Sequence, residues 1–220
     1  MSVEPPPSLW DFPPATVAGR GDVVAAGADL EPGTVLAAYR QGLFPMPDGT
    51  GLLWWSPARR GIFEVAGFAP SRSLRRARAS YEIRVNTAFD EVIRGCADPG
   101  RPGGWIDPGI VASYTRLHEL GWVHSVEAWD DQGLAGGLYG VAIGGLFAGE
   151  SMYHRRTGAS KAAVAGLIEL LGDEYADRRL LDVQWLTPHL ASLGATEIKR
   201  DEYLRRLRVA LELPRPAALG

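Results

Sequence analysis

Apolar and polar positions along the chain follow two periods, one helical and one of two residues. Val35, Leu36, Tyr39 and Leu43 share one face of a predicted helix over Pro32–Phe44, which Pro45 and Pro47 end. Leu52–Ser56 and Ile62–Val65 have the side chains of short strands, joined by a turn over Pro57–Gly61. Ser71–Ala79 reads as an arginine-rich helix and Tyr81–Val85 as a strand, with a soft boundary near residue 80. Beyond it, helices are expected over Asn86–Ala97 and Pro108–Leu120, the second capped by Asp107 with Pro108 at its first position. Strands follow over Val123–Trp129, Leu134–Tyr139 and Val141–Ala148, then a helix over Ser160–Leu171 and a strand over Leu180–Leu186. A helix over Pro188–Leu193, a short strand near Ile198 and a closing helix over Asp201–Leu211 complete the pattern. Residues 1–29, rich in Pro, Gly and Ala, read as an irregular arm. Strands and helices without strict βαβ alternation predict an α+β or mixed α/β fold.

Composition narrows the class. The chain has 220 residues, 46% of them apolar and 22% charged, as in an ordinary globular protein. No apolar run reaches the roughly 20 residues that span a bilayer, and Met1–Pro14 lacks the pattern of a secretory signal. The single cysteine, Cys96, excludes an internal disulfide and a cysteine-cluster metal site. These features point to the cytoplasm, with no membrane partner. A net charge of −3 argues against a general nucleic-acid coat, yet Arg72, Arg75, Arg76 and Arg78 form one dense basic run. That run is either a solvated helix face or a local polyanion contact.

Several residues could carry chemistry. Asp182 and Gln184, two apart in an apolar strand, are expected on one face, and burial would require partners for both. Glu150 follows a glycine at a strand end, where it could face a cleft or pair with a neighbour such as Arg155. Trp105, on a loop after Gly103-Gly104, could pack in the core or stack on a base. The run Arg155-Arg156-Thr157-Gly158-Ala159-Ser160-Lys161 leads into a helix, a plausible anion site and a loose match to the pyrophosphate loop of acetyltransferases. The four histidines show no zinc spacing, and no nucleophile elbow, phosphate loop or dinucleotide fingerprint is present.

Ordered motifs from about residue 31 to residue 207 carry a more specific signal. They are Tyr39-Arg40-Gln41-Gly42-Leu43-Phe44-Pro45, Trp54-Trp55-Ser56-Pro57, Trp105-Ile106, Leu117-His118-Glu119-Leu120-Gly121, Gly149-Glu150-Ser151-Met152, Ala159-Ser160-Lys161, Asp182-x-Gln184 and His189-x-Ala191-Ser192-Leu193-Gly194-Ala195. Together they closely resemble the bacterial leucyl/phenylalanyl-tRNA–protein transferases. The resemblance implies a small N-terminal α/β domain, here residues 1–80, followed by an acetyltransferase-like (GNAT-like) C-terminal domain, residues 81–220. It implies transfer of Leu, Phe or Met from aminoacyl-tRNA to N-terminal Arg or Lys of proteins, marking them for N-end-rule degradation, with no metal or soluble cofactor. Asp182 and Gln184 then fall on the family's proposed catalytic pair, Glu150 on its acceptor-binding carboxylate and Trp105 on its base-stacking ring. Leu138, Phe147 and Gly149 are the matched donor-pocket positions, and Arg72, Arg75, Arg76 and Arg78 become tRNA contacts. Tyr153 and Thr187 depart from the expected Phe and Asn.

On this reading Gln184 accepts an N–H of the incoming amine, and Asp182 orients Gln184 by accepting from its NH₂. Same-face strand positions start about 7 Å apart, so that contact requires leaning rotamers or a bridging water. Glu150 and Asp182 together would favour a cationic acceptor. No seam for self-association is visible, so a monomer is expected. Two alternatives remain: an acyl-coenzyme-A N-acyltransferase, and a non-catalytic RNA- or peptide-binding module.

Overall fold

The computed structural model describes residues 2–49, 51–101 and 104–220. Among these residues ten strands form two sheets. The smaller has the order β1-β3-β2, from Val23–Ala26, Leu52–Trp55 and Phe44–Pro47. The larger has seven strands in the order β10-β4-β9-β8-β7-β6-β5. These are β4 Arg59–Phe63, β5 Glu82–Val85, β6 Val123–Asp130, β7 Gly133–Ile143, β8 Leu146–His154, β9 Leu180–Asp182 and β10 Thr196–Lys199. Among the described strands only β8 and β9 pair in parallel, joined by α5, Ala159–Leu170. The remaining helices are α1 Pro32–Arg40, α2 Arg72–Ala79, α3 Phe89–Cys96, α4 Pro108–Glu119, α6 Pro188–Leu193 and α7 Arg200–Leu211. None is long and apolar enough to cross a membrane. The mixed α/β expectation holds.

Local chemistry explains the elements and their departures from expectation. The Asp107 side chain accepts from the Ile110 N–H at the start of α4, and Ser71 does the same for Leu74 in α2. Helix α1 stops at Arg40, short of the prolines, because Gly42 is left-handed at φ +81° and lies against α7. A Cβ on Gly42 would meet Leu204 Cδ2 at 2.6 Å. Pro45 and Pro47 lie in β2, an edge strand, where a missing N–H is tolerated. The arm is not wholly irregular, since Val23–Ala26 forms β1 against β3.

Strand β7 does not break at Gly140. Its register with β8 shifts there, Glu150 being the extra residue of β8, and it continues to a Gly144-Gly145 loop, with Phe147 of β8 seated where a Gly140 Cβ would be. The expected turn over Pro57–Gly61 is partly strand, because Arg59, Arg60 and Gly61 pair with β10. Their strand carries the chain from the small sheet into the large one between Trp55 and Arg59. Helix α2 also precedes residue 80 and lies on α5 of the large sheet. One apolar cluster spans both sheets, joining Tyr39 and Trp54 to Val141, Leu146 and Leu180.

Candidate active site

The strand expected over Leu180–Leu186 ends at Asp182. Gln184 adopts φ +55°, a left-handed corner that costs a non-glycine residue roughly 1 kcal/mol. The corner separates the two polar side chains that a regular strand would have kept on one face.

Asp182 turns into the interior and is fully buried. Its carboxylate accepts from Arg60 Nε at 2.7 Å and Nη2 at 2.5 Å, and from the Tyr203 hydroxyl at 3.0 Å. It also accepts from the Gln184 backbone N–H at 2.9 Å, an Asp-centred turn that supports the corner. Burial opposes the Arg60 charge, but the Asp182 carboxylate beside it prevails and holds the guanidinium above its ordinary range. Arg60 further donates to the Gly42 carbonyl at 3.1 Å and lies over the rings of Phe44 and Tyr203. The expected bond from the Gln184 amide to Asp182 is therefore replaced by one from its backbone.

Gln184 instead sends its side chain into a cavity of about 310 Å³. Its Nε2 donates to Glu150 Oε1 at 3.1 Å, and among the described residues no donor is bonded to its oxygen. Glu150, on β8, is half-buried, and its second oxygen accepts from Tyr114 at 3.2 Å. The Tyr114 hydroxyl is 2.7 Å from that of Tyr39. Burial pushes the Glu150 carboxyl up to about 8, the nearby Asp182 charge adds to the rise, and hydrogen bonds from Tyr39 and Tyr114 with the Arg60 charge oppose it. Glu150 pairs with these groups and not with Arg155, which bonds Glu91.

The rest of the cavity is apolar. Leu138 and Gly149 line it as expected, with Phe63, Val164, Leu167 and Leu181. Phe147 does not; it is fully buried in a core cluster, its ring packed where a Cβ on Gly140 would sit. Trp105 is half-buried, packs on the core and lines the cavity. Gly103 lies outside the described residues. Arg101 fastens the approach to that loop, donating to the carbonyls of Cys96 and Met152. From the small sheet, Phe44 and Met46 add a second wall, and Trp185 stands edge-on to Phe44 and Trp55. Thr187 lines the cavity and caps α6, accepting from the Leu190 N–H. Among the lining residues Glu150 alone carries a titratable charge. Asp182 is not among them, and the doubled negative charge expected at the cleft is a single one.

The other candidates sort by their bonds. Arg72, Arg75 and Arg76 are exposed on α2, whereas Arg78 is half-buried and bound to Glu169 at 2.8 Å. In the loop before α5, Arg155 bonds Glu91 at 3.3 Å and Arg156 bonds Asp130 at 2.5 Å, so internal carboxylates occupy its cations. Burial pushes the Cys96 thiol up to about 11, unsuited to a nucleophile. Sequence reasoning missed Arg60, Tyr39, Tyr114, Tyr203 and Trp185. The arginine-glycine pair before an apolar run was the only signal for Arg60, and it read as a turn.

Two family models cover most of the chain: the leucyl/phenylalanyl-tRNA protein transferase model matches residues 62–208, and the N-terminal domain model of the same transferase matches residues 28–58. A leucyl/phenylalanyl-tRNA–protein transferase of Chromobacterium violaceum is 46% identical, over 93% of this chain and 90% of the relative. One from Azoarcus sp. is 47% identical over 94% and 90%, and one from Anaeromyxobacter sp. 44% identical over 97% and 93%. On these matches the chain belongs to the leucyl/phenylalanyl-tRNA–protein transferase family and is an aminoacyltransferase.

Proposed function

We propose that the chain transfers Leu, Phe or Met from aminoacyl-tRNA to the α-amine of proteins beginning with Arg or Lys, which marks them for N-end-rule degradation. The observation that carries this reading is the Gln184–Glu150 contact at 3.1 Å on the wall of an apolar cavity. The aminoacyl ester is already activated. Its side chain enters the apolar part, where selectivity amounts to about 1–3 kcal/mol per methylene and tolerates Leu, Phe and Met alike. The acceptor's cationic side chain sits against Glu150, and one N–H of its neutral α-amine donates to the Gln184 oxygen. The amine nitrogen then attacks the ester carbonyl; the C–N bond forms, the ester C–O bond breaks, and the amine proton passes to the departing ribose oxygen. Alignment is the enzyme's main contribution. Trp105 stacks on the 3′ end of the tRNA, and the exposed arginines of α2 meet its phosphates.

We also read the large-sheet part, from β4 onward, as acetyltransferase-like. The parallel β8–α5–β9 crossover supports this, and the gap between the two family matches at residues 58 and 62 agrees with starting that part at β4. Coenzyme A is disfavoured as donor because the arginines of the loop before α5 already bond Glu91 and Asp130.

The test is single-turnover transfer from charged leucine tRNA to peptides differing only at residue one. Transfer to Arg- and Lys-initiated peptides, with little to Ala-initiated or N-acetylated ones, is the expected result. Equal transfer to all free amines would remove Glu150 from acceptor selection. No transfer at all, with tight binding of a coenzyme A thioester, would favour the acyltransferase alternative.

A further inference from the structure

The cavity is reached by a second chain of contacts that starts in the core. Arg60 and Asp182 are both fully buried, and their side chains meet through two hydrogen bonds. Tyr203 bonds both members, at 3.0 Å to Asp182 and 3.2 Å to Arg60. The free end of the network is the Gln184 N–H, which the Asp182 carboxylate holds at 2.9 Å. The neighbouring residue of β4 grips the same corner: the Gly61 N–H donates to the Gln184 carbonyl at 2.9 Å, and its own carbonyl accepts from Val183 at 2.9 Å. Gln184 is therefore held at its nitrogen through Arg60–Asp182 and at its oxygen by Gly61, in a left-handed conformation that a glutamine rarely adopts alone. Nothing in fold stability alone asks for a glutamine in that state. Its side chain is the part that enters the cavity.

We propose that Arg60 is a positioning residue for aminoacyl transfer: it fixes the Asp182 carboxylate, which fixes the backbone corner at Gln184, and so aims the Gln184 amide at Glu150 and the incoming amine. This rests on the reading of Gln184 given under Proposed function. Arg60 touches no substrate. Lysine in its place keeps the charge but loses the two-pronged grip on Asp182.

The experiment is a double-mutant cycle between Arg60→Lys and Gln184→Ala, read as kcat for transfer from leucyl-tRNA to an Arg-initiated peptide. Acceptor KM and thermal unfolding are measured in parallel. Arg60→Lys is expected to lower kcat at least tenfold in a folded protein, because a misplacement of about 1 Å can cost a hundredfold. Acceptor KM should move less than about threefold, since Glu150 keeps its Tyr114 bond. In the Gln184→Ala background the same change should cost less than about twofold, because the side chain it aims is gone. Independent, multiplying losses in the two backgrounds would overturn the proposal, as would an unchanged kcat for folded Arg60→Lys. If Arg60→Lys does not fold, Tyr203→Phe removes one hydroxyl from the same network and is put through the same cycle with the same criteria. Wild-type kcat for Gln184→Ala would instead overturn the role given to Gln184 itself, a result separable from failure of the Arg60 link.

Discussion

Replacing Glu150 with Gln tests the electrostatics of the site most directly. The carboxyl is half-buried among Tyr39 of α1, Tyr114 of α4, Tyr139 of β7, Arg60 of β4 and Asp182 of β9. With its pKa pushed up to about 8, about nine in ten molecules carry a neutral acid there at pH 7. On the proposed function the bound guanidinium or ammonium requires the carboxylate, so acceptor binding at neutral pH would have to expel that proton. Expulsion costs about 1.4 kcal/mol at pH 7 and almost nothing at pH 9. A hydrogen bond to a charged group is worth about 1.5–3 kcal/mol. Glu150→Gln should therefore raise the acceptor KM roughly 10- to 150-fold at pH 9, and about tenfold less than that at pH 7. The acceptor's own α-amine titrates near pH 8 but affects both enzymes equally, and the ratio of KM values cancels it. The assay is acceptor KM for an Arg-initiated peptide, wild type against Glu150→Gln, from about pH 6.5 to 9. A ratio that does not change with pH would refute the raised pKa. A ratio of one throughout would refute Glu150 as the acceptor's counter-charge.

Other perturbations separate cavity from core. Phe147→Ala should destabilise by about 3–5 kcal/mol yet leave the Leu-to-Phe donor ratio unchanged, since the ring is buried away from the cavity; Leu138→Ala should shift that ratio toward Phe, and competition between the two charged tRNAs reads both. Gly61→Ala places a Cβ 2.9 Å from the Leu186 nitrogen and 3.0 Å from the Trp185 carbonyl carbon. It should lower the unfolding temperature, by about 1–3 kcal/mol of overpacking, together with kcat, measured by thermal melts and single-turnover transfer. Removing Arg72 and Arg76 together should reduce the slope of log affinity against log salt for tRNA by about 2. Arg78→Ala should change it less, because Glu169 already holds that guanidinium; equal effects would displace the contact from the exposed face of α2.

Most helices and the central strands were legible because their signals are local. Asp107-Pro108 starts α4 as its chemistry requires, and Ser71 starts α2. What failed were decisions made across the sheet. Prolines at positions 45 and 47 look like helix terminators until an edge strand is known to be available. Gly140 looks like a break until Phe147 is seen to fill its missing side chain. Arg59-Arg60-Gly61 looks like a turn because charge and glycine mark turns. Its strand character comes from β9 and β10, more than 100 residues further along.

The site shows the same division more sharply. That Asp182 and Gln184 need partners followed from burial alone, and both have them. Which partners could not follow, because period-two geometry stops one residue early. The left-handed corner at Gln184 sends the carboxylate to Arg60, 122 positions away in the chain, and the amide to Glu150. This takes the Asp182 carboxylate off the cleft wall, and among the described lining residues Glu150 is the one titratable group. A cleft with two carboxylates would hold a cationic acceptor strongly at any neutral pH, along with the proton that its α-amine must shed before it can attack. On the proposed function, one carboxyl pushed up by burial would favour the side-chain cation with less of a standing field to keep the nearby amine protonated. On the proposed function, burying Asp182 against Arg60 would serve the nucleophile as much as the fold.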